Sequence, residues 1–164
     1  MITSNPSAKA KAAGAPVKAN ISKLEPGQQM TVAWRGKPVW ILRRTEEILS
    51  NIKKLNAVVD DPESAKSEQP SYVKGIARSQ KPEYLVIVGL CTHLGCSPKY
   101  RPEIAVADLG ADWLGGYFCP CHGSKYDLSG RVYKSQPAPL NLPIPPHKYL
   151  DDTHLLIGVD EEKA

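Results

Sequence analysis

Cys91-Thr92-His93-Leu94-Gly95-Cys96 and Cys119-Pro120-Cys121-His122-Gly123-Ser124 hold all four cysteines of the chain and two of its four histidines. Each stretch offers a cysteine and a histidine two or three residues apart, so two sulfur-nitrogen pairs can converge on one metal centre from opposite sides. A four-ligand centre does not need the second cysteines, Cys96 and Cys121, which could tie the two loops together. Four cysteines in paired loops suit metal ligation or a disulfide, and one pair is read for each use.

Outward from the first loop, Tyr84 to Leu90 is apolar and rich in β-branched residues, which predicts a buried strand delivering that loop. Upstream, Met30, Val32 and Trp34 alternate with Thr31, Ala33 and Arg35. Gly36-Lys37 then turns the chain into Val39 to Arg44, so a hairpin is expected, with Pro38 at an edge or a strand start. Thr45 is placed to cap a short helix whose first turn carries Glu46 and Glu47 and whose apolar stripe is Ile48, Leu49, Ile52 and Leu55. Asp60-Asp61-Pro62 ends that pattern, and residues 60–71 read as polar loop.

Residues 97–116 separate the two loops and carry no legible function. Beyond the second loop, Lys125 to Asp127 turns through Leu128-Ser129-Gly130 into Val132-Tyr133 as a further hairpin. Leu140, Leu142 and Ile144 alternate as a strand would. Tyr149-Leu150, a turn at residues 151–153 and His154 to Val159 form a closing hairpin. Trp34, Trp40 and Trp113, like His147 and His154, read as packing or surface residues. Short strands with turn signals between them predict an all-β domain.

At 164 residues with 15 prolines, the chain is long enough for one core and suits a loop-rich β protein. The net charge of +4 is uneven. Residues 1–20 contribute Lys9, Lys11 and Lys18 and no acid, leaving 18 basic against 17 acidic residues elsewhere. A nearly neutral body excludes nucleic acid as the expected partner. Its apolar runs are strand-length, far short of the roughly 18 residues that cross a membrane. Residues 1–20, rich in Ala, Lys, Gly and Pro, are expected to be a flexible tail, with the folded domain over residues 21–164.

The two loops resemble those of the Rieske iron-sulfur proteins, in the high-potential, disulfide-bearing branch found in quinol:cytochrome c reductases. In such centres two histidines replace two cysteines on one iron. The resemblance, which runs from about residue 5 to 160, implies one 2Fe-2S cluster per chain. Cys91 and Cys119 would hold one iron, His93 and His122 the other, and Cys96 and Cys121 would form a disulfide. It further implies a Rieske-type antiparallel β-sheet sandwich with one short helix and a small cluster-binding subdomain at about residues 90–140. Ser124 and Tyr126 would donate hydrogen bonds to cluster sulfurs. Leu94 would dock at the quinol site, and Pro137, Ala138 and Pro139 would shield the cluster, with Gln136 standing where many members have Gly.

By the same resemblance the partners are ubiquinol, cytochrome b and cytochrome c1. His122 and His93 would take the quinol hydrogen bond and proton. The head would face the periplasm of a bacterial inner membrane. Full-length members carry a membrane-anchoring helix that this chain lacks, so it is expected to be a soluble, monomeric fragment.

The residue types suit that chemistry. Two ferric ions and two sulfides sum to a charge of +2, which two thiolates cancel and four would turn to −2; a neutral centre accepts an electron more readily. An imidazole bound through one nitrogen keeps a proton on the other, more acidic beside ferric than ferrous iron. Electron and proton uptake are thereby coupled, at about 59 mV per pH unit. A structural zinc site would leave Cys96, Cys121, Ser124 and Tyr126 without a role. An oxygenase-type Rieske module or small ferredoxin typically lacks the extra cysteine pair. The small Rieske subunit of a periplasmic oxidase such as arsenite oxidase, which can carry the disulfide, is the remaining alternative.

Overall fold

The computed structural model describes residues 15–73 and 75–159. Among the described residues, nine strands form three antiparallel three-stranded sheets. In the middle one, β2 (Gln29–Trp34) pairs with β3 (Lys37–Arg43), and β3 pairs with β4 (Tyr84–Val88). The β2–β3 turn sits on Arg35 and Gly36, both at positive φ, one residue earlier than expected. Successive side chains of a strand point to opposite faces, and here both faces are covered. Val39, Ile41, Val86 and Val88 pack with Ala19, Ile21, Trp34, Leu155 and Ile157. Trp40, Leu42, Leu85 and Ile87 face a second core containing Cys91, Tyr117, Cys119, Tyr126 and Leu142. The unbroken apolar run of β4 is the mark of a strand buried on both sides.

One outer layer is β1 (Val17–Asn20), β9 (His154–Ile157) and β8 (His147–Tyr149), with β9 central. The expected tail of residues 1–20 is therefore corrected at its end: Val17–Asn20 is a strand paired to β9, with Ala19 buried. The rest of that tail, through residue 14, lies outside the described residues. The other outer layer is β5 (Lys99–Arg101), β6 (Gly116–Phe118) and β7 (Lys125–Tyr126); the first Cys/His loop leads from β4 into β5 and the second joins β6 to β7.

The helix α1 (Glu46–Lys54) begins at Thr45, whose side chain accepts from the Ile48 N–H as an N-cap should. Ile52 and Leu55 are its deeply buried apolar positions, joined by Asn51, while Ile48 and Leu49 are only half-buried. Residues 60–71, read as polar loop, dock closely in part: Asp61 and Ser64 are buried, and both accept from the buried amide of Asn141. Leu142 and Ile144 are buried as their alternation implies, but residues 140–146 form no strand. Prolines at 139, 143, 145 and 146 remove amide donors that a ladder would need. Among the described residues no helix is long and apolar enough to cross a membrane.

Candidate metal centre

The two Cys/His stretches fold into the same backbone loop. Gly95 N–H donates to Cys91 O and Cys91 N–H to Cys96 O; likewise Gly123 N–H donates to Cys119 O and Cys119 N–H to Ser124 O. Gly95 and Gly123 each close the loop at positive φ, +79° and +82°, where a side chain would strain the backbone. Position by position, Cys91 matches Cys119, but His93 matches Cys121 and His122 matches Leu94. The histidines are thus offset by one residue between otherwise equivalent loops. That offset leaves His93 half-buried, while His122 is exposed, as is Leu94.

Cys96 and Cys121 form a disulfide that joins the loops. Cys91 and Cys119 are free thiols, both buried. The sulfurs of Cys96, Cys119 and Cys121 lie within 4.8 Å of one another, but two of these are consumed in the disulfide, so that trio is no ligand set. The His93 and His122 rings meet edge to face, 4.8 Å between centroids.

Three observations test whether a metal group suits this site. His93 Nδ1 is buried with no hydrogen-bond partner, a costly arrangement unless something else binds it. Two thiols lie next to each other, and burial raises Cys119 while bonds to its sulfur from the Cys121 and His122 N–H groups oppose that rise. Tyr126 O–H donates to Cys91 Sγ at 3.1 Å, an arrangement suited to stabilising negative charge on sulfur. The two buried sulfurs, the orphaned imidazole nitrogen and the second imidazole fit a thiolate- and imidazole-bound iron-sulfur group.

Around this core the chain supplies struts that the motif alone does not disclose. Tyr126 Oη also accepts from Thr92 N–H, and the Thr92 hydroxyl donates to Leu140 O. Ser124, fully buried, accepts from Ala138 N–H and keeps its own hydroxyl proton to donate. Gln136 accepts from Lys125 N–H and donates to Lys134 O, so the residue that departs from the family's glycine latches the proline segment to β7. Ala138 is buried between exposed Pro137 and Pro139. Burial, followed by the bond to Cys91, keeps the Tyr126 phenol protonated well beyond neutral pH.

A family model for the Rieske 2Fe-2S domain matches residues 15–146. The chain belongs to the Rieske family. This Rieske chain is 58% identical over 160 residues to a ubiquinol-cytochrome c reductase iron-sulfur subunit of Allochromatium vinosum, covering 98% of itself and 77% of that relative. To the subunit of the same description in Bradyrhizobium diazoefficiens it is 41% identical over 155 residues, covering 94% and 78%. A solved chain described as hyperthermophilic respiratory Complex III shares the fold with a TM-score of 0.57 and 26% identity, over 94% of this chain and 82% of that one. The cofactor of this Rieske chain is a 2Fe-2S cluster.

Proposed function

We infer that this chain is the electron-transfer subunit of a quinol:cytochrome c reductase, an oxidoreductase complex in which it works beside other subunits. The observation that carries the inference is 58% identity across 98% of the chain to an iron-sulfur subunit of that enzyme. It is supported by a buried thiol pair and a disulfide at the expected positions.

Cys91, Cys119, His93 and His122 would hold the cluster, which when bound takes up and returns one electron. The remaining work belongs to the protein. His122, the more exposed imidazole, receives a hydrogen bond from the hydroxyl of a bound hydroquinone and holds the released proton on its solvent-facing ring nitrogen. His93, half-buried, would share that role through the ring nitrogen not turned to the metal. Leu94 is 68% exposed and seats in an apolar recess beside the quinol. Pro137 and Pro139 stand exposed over buried Ala138 and keep water from the sulfurs. The partners in this reading are cytochrome b, which presents ubiquinol, and cytochrome c1, which takes the electron. The head lies on the periplasmic face of a bacterial inner membrane.

The test is an EPR and visible spectrum of the purified protein, before and after dithionite, with acid-labile sulfide assayed alongside. A reducible, sulfide-containing centre with a low average g, reoxidised by a c-type cytochrome, is expected. A colourless protein that holds zinc, and regains no iron signal on anaerobic reconstitution, would overturn the assignment.

A further inference from the structure

Four ionisable residues are buried around one turn, and the electron-transfer reading uses none of them. Arg44 is 3% exposed, and Arg78, Arg131 and Asp127 are fully buried. All three guanidiniums converge on the turn that follows Tyr126. Arg44 donates to Leu128 O and Ser129 Oγ, and Arg78 donates to Ser129 O and Leu142 O. Arg131 pairs with Asp127 at 2.7 Å.

The balance of charge is unusual. Besides those bonds, Arg44 donates to Pro82 O and Ser79 Oγ, and Arg78 to Gln69 Oε1. Every acceptor of these two cations is neutral. Asp127 is spent on Arg131 and on the amides of Ser129 and Arg131. Asp61, further out, is bonded by the Ala65 and Lys66 amides. Three buried cations therefore face two carboxylates, and burying charge in that way is expensive without a compensating use. Burial lowers Arg44 and Arg78 only to about 10, so both stay charged at neutral pH.

We propose that Arg44, Arg78 and Arg131, offset in part by Asp127, form a buried cationic plate behind the metal centre that raises its electron affinity through the field it sets up there. The inference rests on the reading that Cys91, His93, Cys119 and His122 hold the cluster. The turn that the plate grips, Asp127 to Arg131, directly follows Tyr126, whose hydroxyl touches the Cys91 sulfur. A tyrosine's reach plus two or three residues of a turn places the charges on the order of 10–15 Å from the site. At that range, with an effective dielectric constant of about 20, one charge shifts an electron-transfer equilibrium about tenfold. Being buried, the plate is screened little by salt.

Redox titration of the cluster-loaded protein, followed by EPR, separates this field from simple bracing of the turn. Arg44→Gln and Arg78→Gln keep donors but lose charge, and each is expected to weaken reduction about tenfold, a fall of about 59 mV for one electron. Asp127→Asn removes a negative charge and is expected to shift the potential upward, with EPR g-values unchanged in all three. Three results would each overturn the proposal: unaltered potentials in the loaded variants, a downward shift for Asp127→Asn, or a shift accompanied by changed g-values. If Arg78→Gln does not load, the opposite signs expected for Arg44→Gln and Asp127→Asn still decide it. Absence of a Rieske signal in the unaltered protein would instead remove the ligand assignment itself.

Discussion

Replacing Tyr126 by Phe removes one oxygen and leaves the ring's shape intact in a fully buried site. That oxygen donates to Cys91 Sγ at 3.1 Å and accepts from Thr92 N–H at 3.2 Å. Losing the second bond strands a part-buried amide, which costs on the order of 1–2 kcal/mol. For a domain of this size, that lowers Tm by roughly 3–6 °C. Losing the first bond withdraws support from sulfur charge. A bond to an ionised acceptor is worth about 1.5–3 kcal/mol, of which a difference of about 1 kcal/mol between oxidised and reduced states is a reasonable share. At about 59 mV per tenfold change for one electron, that lowers the midpoint potential by about 40 mV. The phenol stays protonated far above neutrality, so the fall should be the same at pH 6 and pH 8. EPR-monitored titration of the loaded protein and a thermal melt read the two effects separately. A lowered Tm with an unmoved potential would refute the claim that this hydroxyl tunes the centre and leave it a strut. Ser124→Ala is the companion variant, also expected to lower the potential while stranding the Ala138 amide.

The disulfide closes a loop of 25 residues; removing it in a Cys96→Ala, Cys121→Ala double variant should cost about 3.5 kcal/mol by loop-closure entropy, or about 10 °C in Tm. Calorimetry at equal cluster content checks this, and a shift below about 2 °C would mean the loops are held by other contacts. Gly116→Ala should abolish cluster uptake, because the new methyl collides with the Tyr126 carbonyl and the Trp113 ring and must force β6 and β7 apart; normal absorbance per protein would contradict the close approach. Burial, opposed by a bond to Pro145 O, holds His147 below its usual value. The unfolded chain therefore binds a proton near pH 6.5 that the folded one refuses, so stability is full above that pH and falls below it. Tm measured from pH 7.5 to pH 5 should decline, and His147→Gln should flatten the decline; parallel slopes would assign it to other groups.

Where local pattern and tertiary demand agree, the sequence was readable. Thr45 capping α1, the Met30-Val32-Trp34 alternation and the apolar run before Cys91 each name a local cause that the fold keeps. The Cys/His loops were legible because metal chemistry restricts residue type and spacing so severely. β1 was not, since Ala19 among lysines and small residues carries no strand signal and is held by pairing to β9. Leu140 to Ile144 misled in the opposite sense: burial alternates as in a strand, but prolines forbid the ladder. Arg44, Arg78 and Arg131 are charged residues of the kind a sequence reading leaves in water, and only the carbonyls gathered around them explain their burial. Thr92 and Gln136 were hidden because each acts on backbone far away in the chain, at Leu140 and Lys125.

The one-residue offset between the paired loops also gives the tip a handedness. With the two loops built on one hydrogen-bonding pattern, equivalent crests would offer any visitor two like ways to land. Instead one crest is a leucine and the other an imidazole. A partner whose socket fits the leucine can bring its proton-bearing group over the imidazole in one rotational sense alone. A half-turned encounter meets oil with water and separates. The near-repeat makes the platform, and its small breach makes the two crests chemically distinct.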